Sequence, residues 1–341
     1  MKAAIYNPYL DTLGGGERYT IAVATTLEKL GYKVEIQWPN PEIGPKIEKR
    51  FGIKLKNVNF VEDIKRGDSY DVCFWVSDGS IPALKSRKNF LHFQIPFTHV
   101  NGITLLNKMK LFRIKKIICN SYFTKRFIDY EYGVESVVLY PPVDTKNIKP
   151  KHKENLILSV ARFSQLTQSK NQHILIESFK KLYNRGLKTW RLVLAGGVEV
   201  GAKEYVEGLK KIIKDYPITI LESPSFAEIK DLYGRARIFW SAVGLGENEE
   251  TNPKKVEHFG ITIVESMAAG AVPIATALGG HKEIIKHGLN GVLFKSEKGL
   301  EDVTKNLVEE KKVMETISKN AIIESKKYSY ENFEKEFSSL L

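Results

Sequence analysis

Short apolar runs alternate with amphipathic stretches along the whole chain. Residues 3–6 form one such run, and a loop of Gly14, Gly15 and Gly16 follows. Ile21, Ala24, Thr25 and Leu27 then recur at helical spacing up to Gly31, and residues 34–37 start a second apolar run. That pattern predicts a βαβ unit. Further runs at 72–76, 90–93, 117–119 and 137–140, separated by polar or helical stretches, suit a mostly parallel sheet covered on both faces. Pro141 and Pro142 and the Lys-rich stretch to Glu154 then read as a linker. Beyond it the alternation restarts, with strands at 156–160, 191–195, 218–221, 238–243 and 272–275 and helices at 172–183, 205–214, 226–233, 261–269 and 282–286. The expected fold class is therefore α/β, with two Rossmann-like domains at 1–145 and 146–320. A helical segment at 321–341 is expected to return to the first domain. In open sheets of this kind ligands bind beyond the carboxyl ends of the strands, so the function is expected in a cleft there.

Composition narrows the classes. A chain of 341 residues with 43% hydrophobic and 27% charged residues can bury a core, and is neither disordered nor fibrous. The net charge of +12 calls for a polyanion, an anionic membrane surface or a phosphorylated substrate. The excess is uneven, because residues 1–150 carry 23 Lys plus Arg against 15 Asp plus Glu, and residues 151–341 carry 29 against 25. Basic residues are spread along the chain rather than interleaved with aromatics at a module spacing, so no nucleic-acid partner is expected. Cys73 and Cys119 lie in apolar runs, which suits buried, reduced thiols in a cytoplasmic protein, and the first residues contain no secretory signal pattern. The window 259–280 is long enough to span a membrane by count, but Glu265, Pro273 and several glycines make it a buried helix followed by a buried strand.

The stretch VEHFGITIVESMAAGAVPIATALGGHKEII concentrates the candidate chemistry. A helix starting at Ile261 after Gly260 would offer the backbone N–H groups of Gly260, Ile261 and Thr262 and a positive dipole end to an anion. Glu257 and Glu265 flank that start. Eight residues of continuous helix would separate them by about 12 Å, too far for the carboxylate pair of a retaining glycosidase. The bland alternative is a solvated loop acid and an internal pairing partner. Arg162 and Lys170, at and after a strand end, suit the charge of a diphosphate, although most of the 52 cations are ordinary surface groups. Gly15 and Gly16 permit close approach of a phosphate or sugar, or simply make a tight turn. The triplet is not GxGxxG, and the second strand ends in Gln37 and Trp38 without a ribose-binding acid, which disfavours a dinucleotide enzyme. His92, in NFLHFQIPF near a strand end, is expected to face the cleft; His99 competes with it, and a satisfied buried histidine is the alternative. No zinc spacing and no Asp-x-Asp pair occurs, so neither metal nor other cofactor is expected. If residues 103–114 are helical, Leu105, Met109 and Phe112 share one side among Lys108, Lys110, Arg113, Lys115 and Lys116. That suits either an anionic bilayer or a core-facing helix with a solvated basic face.

Glu257, seven residues and Glu265, with Phe259 and Gly260 inside, resemble the E-x7-E motif of family 4 retaining glycosyltransferases. The downstream Ala-Ala-Gly, Val272-Pro273, Gly279-Gly280 and Glu283 match the same pattern. SVARFSQLTQSKNQHILIESF is similar to the family's donor-phosphate segment and GGGERYT to its N-terminal glycine loop. The wording is nearest to mannosyltransferases of lipid-linked oligosaccharide or cell-surface polysaccharide assembly. The resemblance implies a GT-B fold and metal-free transfer of a hexose, mannose or glucose, from a GDP- or UDP-sugar to a glycan or polyprenyl-linked hydroxyl. It further implies that Arg162 and Lys170 neutralise the diphosphate, Glu257 holds the sugar hydroxyls, Glu265 the ribose, Gly260, Ile261 and Thr262 the distal phosphate, and His92 the transferred sugar. Nucleotide-sugar epimerisation on the same fold, and a basic nucleic-acid-binding protein, are the competing functions. The expected location is the cytoplasm, at the inner face of a membrane if 103–116 bind one.

Overall fold

The computed structural model describes residues 1–164 and 168–341 and groups them into two units, 1–142 with 330–341, and 143–329. The first unit begins β1 (Lys2–Tyr6), α1 (Gly15–Lys29), β2 (Lys33–Gln37), α2 (Ile43–Phe51), β3 (Val58–Val61), β4 (Val72–Val76) and β5 (Lys88–Phe93). It continues through α3 (Leu105–Leu111), β6 (Ile114–Cys119), α4 (Tyr122–Tyr132) and β7 (Val137–Val138). Its seven strands are parallel in the order β3-β2-β1-β4-β5-β6-β7. The order reverses between β1 and β4, which leaves a crevice at their carboxyl ends.

The second unit contains β8 (Glu154–Val160), α5 (Gln172–Asn184), β9 (Arg191–Gly196), α6 (Lys203–Ile212), β10 (Ile218–Glu222), α7 (Phe226–Arg235) and β11 (Ala236–Ser241). After them come α8 (Ile261–Ala268), β12 (Val272–Thr276), α9 (His281–Ile284), β13 (Val292–Phe294), α10 (Glu297–Glu309) and α11 (Lys311–Ser325). Six parallel strands run β10-β9-β8-β11-β12-β13, with the same reversal between β8 and β11.

Two edge strands escape the hydrophobic pattern. β3 has Asn59 pointing out and β13 is three residues long, so neither gives a run of apolar residues. The segment 321–341 is not one helix. α11 ends at Ser325 in the second unit, and a separate α12 (Tyr330–Leu340) completes the first, so the units divide at Pro142 and Ser329 rather than at 145 and 320. Phe333 and Phe337, one helical turn apart, explain the return of α12. Phe333 meets Tyr19 of α1 edge-on at 5.1 Å, and Phe337 packs 6.0 Å from Phe74 and 6.1 Å from Phe90. Both are buried, so α12 caps one face of the first sheet.

The bland reading of 103–116 as a core-facing helix is overturned. α3 has no buried residue, and Ile103, Leu105, Leu106, Met109 and Phe112 are 54 to 93% exposed.

Candidate active site

In the second unit the residues that carry chemistry gather at the carboxyl ends of the strands around β8, β11 and β12. Gly260 caps α8 with φ 110°, a left-handed conformation that suits glycine alone, and no side chain caps the helix. The first N–H groups of α8 therefore lack intrahelical partners, and Ile261 and Thr262 are partly exposed while the next six residues are buried. Glu257 lies just before this start. Its carbonyl accepts from Gly280 N at 2.7 Å, and a Cβ on Gly279 would stand 2.2 Å from the same oxygen, so the two glycines let α9 approach the Glu257 backbone.

Lys170 reaches the same place from the β8–α5 loop, with Nζ 3.3 Å from Glu257 Oε2. Asn171, in the left-handed conformation at φ 52°, anchors that loop by donating its amide to Ala242 O at 2.9 Å. Gln168 donates to Val256 O at 2.5 Å and accepts from Lys170 Nζ, so one side chain links the β8–α5 loop to the segment before α8. Burial works against the Glu257 charge, but the neighbouring Lys170 outweighs burial and holds the carboxyl below its ordinary range. At neutral pH Glu257 is therefore a carboxylate.

His281, absent from the sequence-based site, supports this floor. Thr276 Oγ1 gives its proton to Val243 O at 2.7 Å and must accept from His281 Nδ1 at 3.0 Å, so Nδ1 carries the hydrogen. Nε2 is then the acceptor, 3.3 Å from Ser241 Oγ. Burial lowers its pKa to about 4, so the ring is a neutral strut joining the ends of β11 and β12 to α9. The His in GGHKE was the available signal, but a histidine gives no period to read. Glu249 adds a second tie, accepting from Gly279 N at 2.7 Å and pairing with Lys282.

Arg162 and Glu265 lie differently. Arg162 Nη1 is 3.4 Å from Glu199 Oε1 and the side chain is 45% exposed, while its carbonyl accepts from Gln172 at 3.0 Å. Glu265 is 4% exposed and accepts from the Tyr233 hydroxyl at 2.9 Å, as the internal-partner alternative has it. Residues 165–167 of the donor-phosphate segment lie outside the described residues.

In the first unit Gly15 and Gly16 begin α1, but a carboxylate of the chain already stands there. Glu17 is 3% exposed and its Oε2 accepts from Gly14 N and Thr12 Oγ1, both at 2.7 Å. A Cβ on Gly16 would meet the Gln94 side chain at 2.2 Å, so this glycine makes room for Gln94. His92 does not face open space. Its ring is fully buried, stacked on Tyr19 at 4.1 Å, with Nδ1 3.1 Å from Ile118 O and Nε2 unpaired. β5 is covered on both faces, so a strand-end position there leads into the core, and burial pushes the His92 pKa down to about 3. His99 is exposed.

The sequence model of the family described as "Glycosyl transferases group 1" matches residues 143–323, more than half of the chain. The chain belongs to this family. Among relatives of this group 1 glycosyltransferase, a Dictyostelium discoideum GDP-Man:Man(3)GlcNAc(2)-PP-Dol alpha-1,2-mannosyltransferase is 28% identical over 220 residues, 61% of this chain and 42% of that protein. The chain thus spans less than half of that relative. An alpha-1,3/1,6-mannosyltransferase of Yarrowia lipolytica is 24% identical over 370 residues, 84% of this chain and 79% of that one. The Anabaena protein solved with UDP and glucose superposes with a TM-score of 0.77 at 17% identity, covering 99% of this chain and 98% of that one. At that identity the likeness establishes the fold, which is GT-B. Among the described residues no helix is long and apolar enough to cross a membrane, and no group of three or more His, Cys, Asp or Glu has metal-binding geometry.

Proposed function

We propose that this group 1 glycosyltransferase moves a hexose, mannose or glucose, from a GDP- or UDP-sugar to a hydroxyl of a glycan or polyprenyl-linked acceptor with retention of anomeric configuration, as family 4 enzymes do. The observation that carries the proposal is the Lys170–Glu257 pair beside the uncapped start of α8. The N–H groups of Gly260, Ile261 and Thr262 receive the distal phosphate, Lys170 and Arg162 offset its charge, and Glu257 accepts from the sugar hydroxyls. Tyr233 orients Glu265 toward the ribose. The Glu257 carboxylate works as a hydrogen-bond acceptor rather than an attacking group.

In the front-face route, the bond from the anomeric carbon to the phosphate oxygen breaks as the acceptor oxygen bonds to the same face, and the acceptor proton passes to the leaving phosphate. Such a step needs positioning and electrostatic stabilisation rather than a nucleophile. The buried His92 takes no direct part. With two cations and a helix dipole on the diphosphate, chelation by EDTA leaves turnover unchanged. The names of the relatives favour transfer over epimerisation.

The acceptor is presented at an anionic membrane face by α3 and its flanks, where Ile103, Leu105, Leu106, Met109 and Phe112 stand exposed among Lys108, Arg113, Lys115 and Lys116. This suits a cytoplasmic, peripheral enzyme, as do the two free, buried cysteines. A thermal-shift panel of GDP- and UDP-sugars tests the donor. A ligand at 100 times its Kd adds about 2.7 kcal/mol, and no shift with any of them would remove the proposal. Sedimentation with phosphatidylserine vesicles, comparing wild type with Leu105→Ser/Phe112→Ser, tests the membrane face separately.

A further inference from the structure

The amino end of the second sheet carries a cation that the transfer step does not use. Residues 149–153 run across the C-terminal ends of α7 and α8 just before β8 begins. Lys151 N donates to Gly234 O at 3.0 Å, and a Cβ on Gly234 would stand 2.8 Å from the Lys151 side chain, so the glycine in the last turn of α7 lets this segment lie close. Lys153 closes the arrangement. Its Nζ donates to Ala236 O, the residue that caps α7, at 2.7 Å, and to Ala269 O, the cap of α8, at 2.6 Å. One side chain thus answers the free carbonyls and the negative dipole ends of two helices.

No acid offsets this cation among the described residues. Arg237, at the start of β11, donates from Nη2 to Lys153 O at 3.3 Å and adds a second positive charge. Glu154 of β8 is taken by Arg191 at 2.6 Å and Arg235 at 3.1 Å, and Asp231 of α7 by Lys151 at 2.8 Å and Arg235 at 2.7 Å. Residues 267–271 at the end of α8 carry no charge, and from α11 it is Ser318 that meets them, donating to Gly270 O at 2.7 Å. Burial, and then the Arg237 charge, push the Lys153 pKa down to about 7. A neutral amine keeps two N–H groups, one for each carbonyl, so the tie holds on both sides of that pH. α7 and α8 are joined a second time where the Tyr233 hydroxyl donates to Glu265 at 2.9 Å. The eight residues of α8 span about 12 Å from this end to the uncapped start at Gly260.

We infer that Lys153 is a positioning residue for the donor: by holding the last carbonyls of α7 and α8 together it fixes where α8 stands along its axis, and with it the N–H groups of Gly260, Ile261 and Thr262. The inference rests on the glycosyl-transfer reading and adds to it a residue at the far end of the helix from the donor.

Lys153→Met tests it. The substitution removes both donations together with the buried charge and keeps an apolar stem, so the fold is expected to persist. The KM for GDP-mannose or UDP-glucose, whichever is turned over, is expected to rise about tenfold with kcat unchanged, the pattern of lost uniform binding. A role in stability alone would lower the apparent kcat through loss of folded enzyme and leave KM as it was, which would overturn the inference. Lys153→Arg, a cation with donors for both carbonyls, should bring KM back toward the wild-type value. Arg237→Met keeps the tie and removes only the neighbouring charge, so a KM raised there as in Lys153→Met would also overturn it. Hydrogen exchange needs no donor. In Lys153→Met the amides of Ile263 and Val264, which donate to Gly260 O, should exchange about tenfold faster relative to those of β8 and β9. Faster exchange confined to residues 268–271, or equal throughout the second unit, overturns the positioning role. If neither nucleotide sugar bound any of these proteins, the transferase proposal would fail, and exchange at Ile263 and Val264 would still decide whether Lys153 fixes the start of α8.

Discussion

Both units start a helix with glycine at the carboxyl end of a parallel strand, and only one leaves that helix start open. In the first, Glu17 folds back on Gly14 and Thr12, so the positive end of α1 is balanced by a carboxylate of the chain. In the second, Gly260 has no capping side chain, and Glu257, the nearest acid, is engaged by Lys170 instead. A glycine turn is thus permissive for anion binding without specifying it. What specifies it is whether the chain supplies its own anion.

The histidines repeat the contrast. His281 has partners on both ring nitrogens and braces the site, whereas His92 is sealed in the core with Nε2 unpaired.

The sharpest way to break the comparison is to neutralise the second site. Glu257→Gln should lower turnover at least 100-fold, as loss of a preorganised polar contact does, while the thermal shift by nucleotide persists. Full activity in Glu257→Gln would end the assignment. Phe337→Ala in α12 should cost about 3–5 kcal/mol in chemical denaturation, through a cavity against Phe74 and Phe90. A loss well under 1 kcal/mol would mean that α12 is not part of the first core.

Acid distinguishes the histidines next. An unfolded imidazole binds its proton near 6.5, His92 only near 3 and His281 near 4, so between those values the unfolded chain holds more protons. Stability should therefore fall as pH drops from 6.5 toward 3 and be unaffected by these groups above 6.5, each full pKa unit being worth about 1.4 kcal/mol. His92→Leu should flatten that slope with nucleotide binding intact, and an unchanged slope would show that His92 is not the enclosed group. The smallest effect is expected for Glu17→Ala, about 1 kcal/mol in thermal denaturation with the nucleotide shift unaltered. Loss of nucleotide binding there would make the two helix starts equivalent.

The site was legible where it depended on local order. Gly260, Glu257 and the helix that follows are contiguous, and Lys170 stands at a readable strand-to-helix junction. What was missed is non-local or without a period: the tie from Gln168 to Val256 crosses 88 positions, and the tautomer of His281 is decided by a threonine whose proton goes elsewhere. β3 and β13 were missed because short edge strands need no continuous apolar run.

By itself the sequence determined two α/β units, because burial on both faces of a parallel sheet imposes apolar runs that the order of residues reveals. It determined the helix start after Gly260 as well. Only the tertiary structure decided that His92 lies inside, that residues 321–341 divide between the end of α11 and a separate α12, and that α3 keeps its apolar side exposed. Each of these depends on which elements come to lie beside one another. An apolar run records that a residue is covered but carries no record of what covers it.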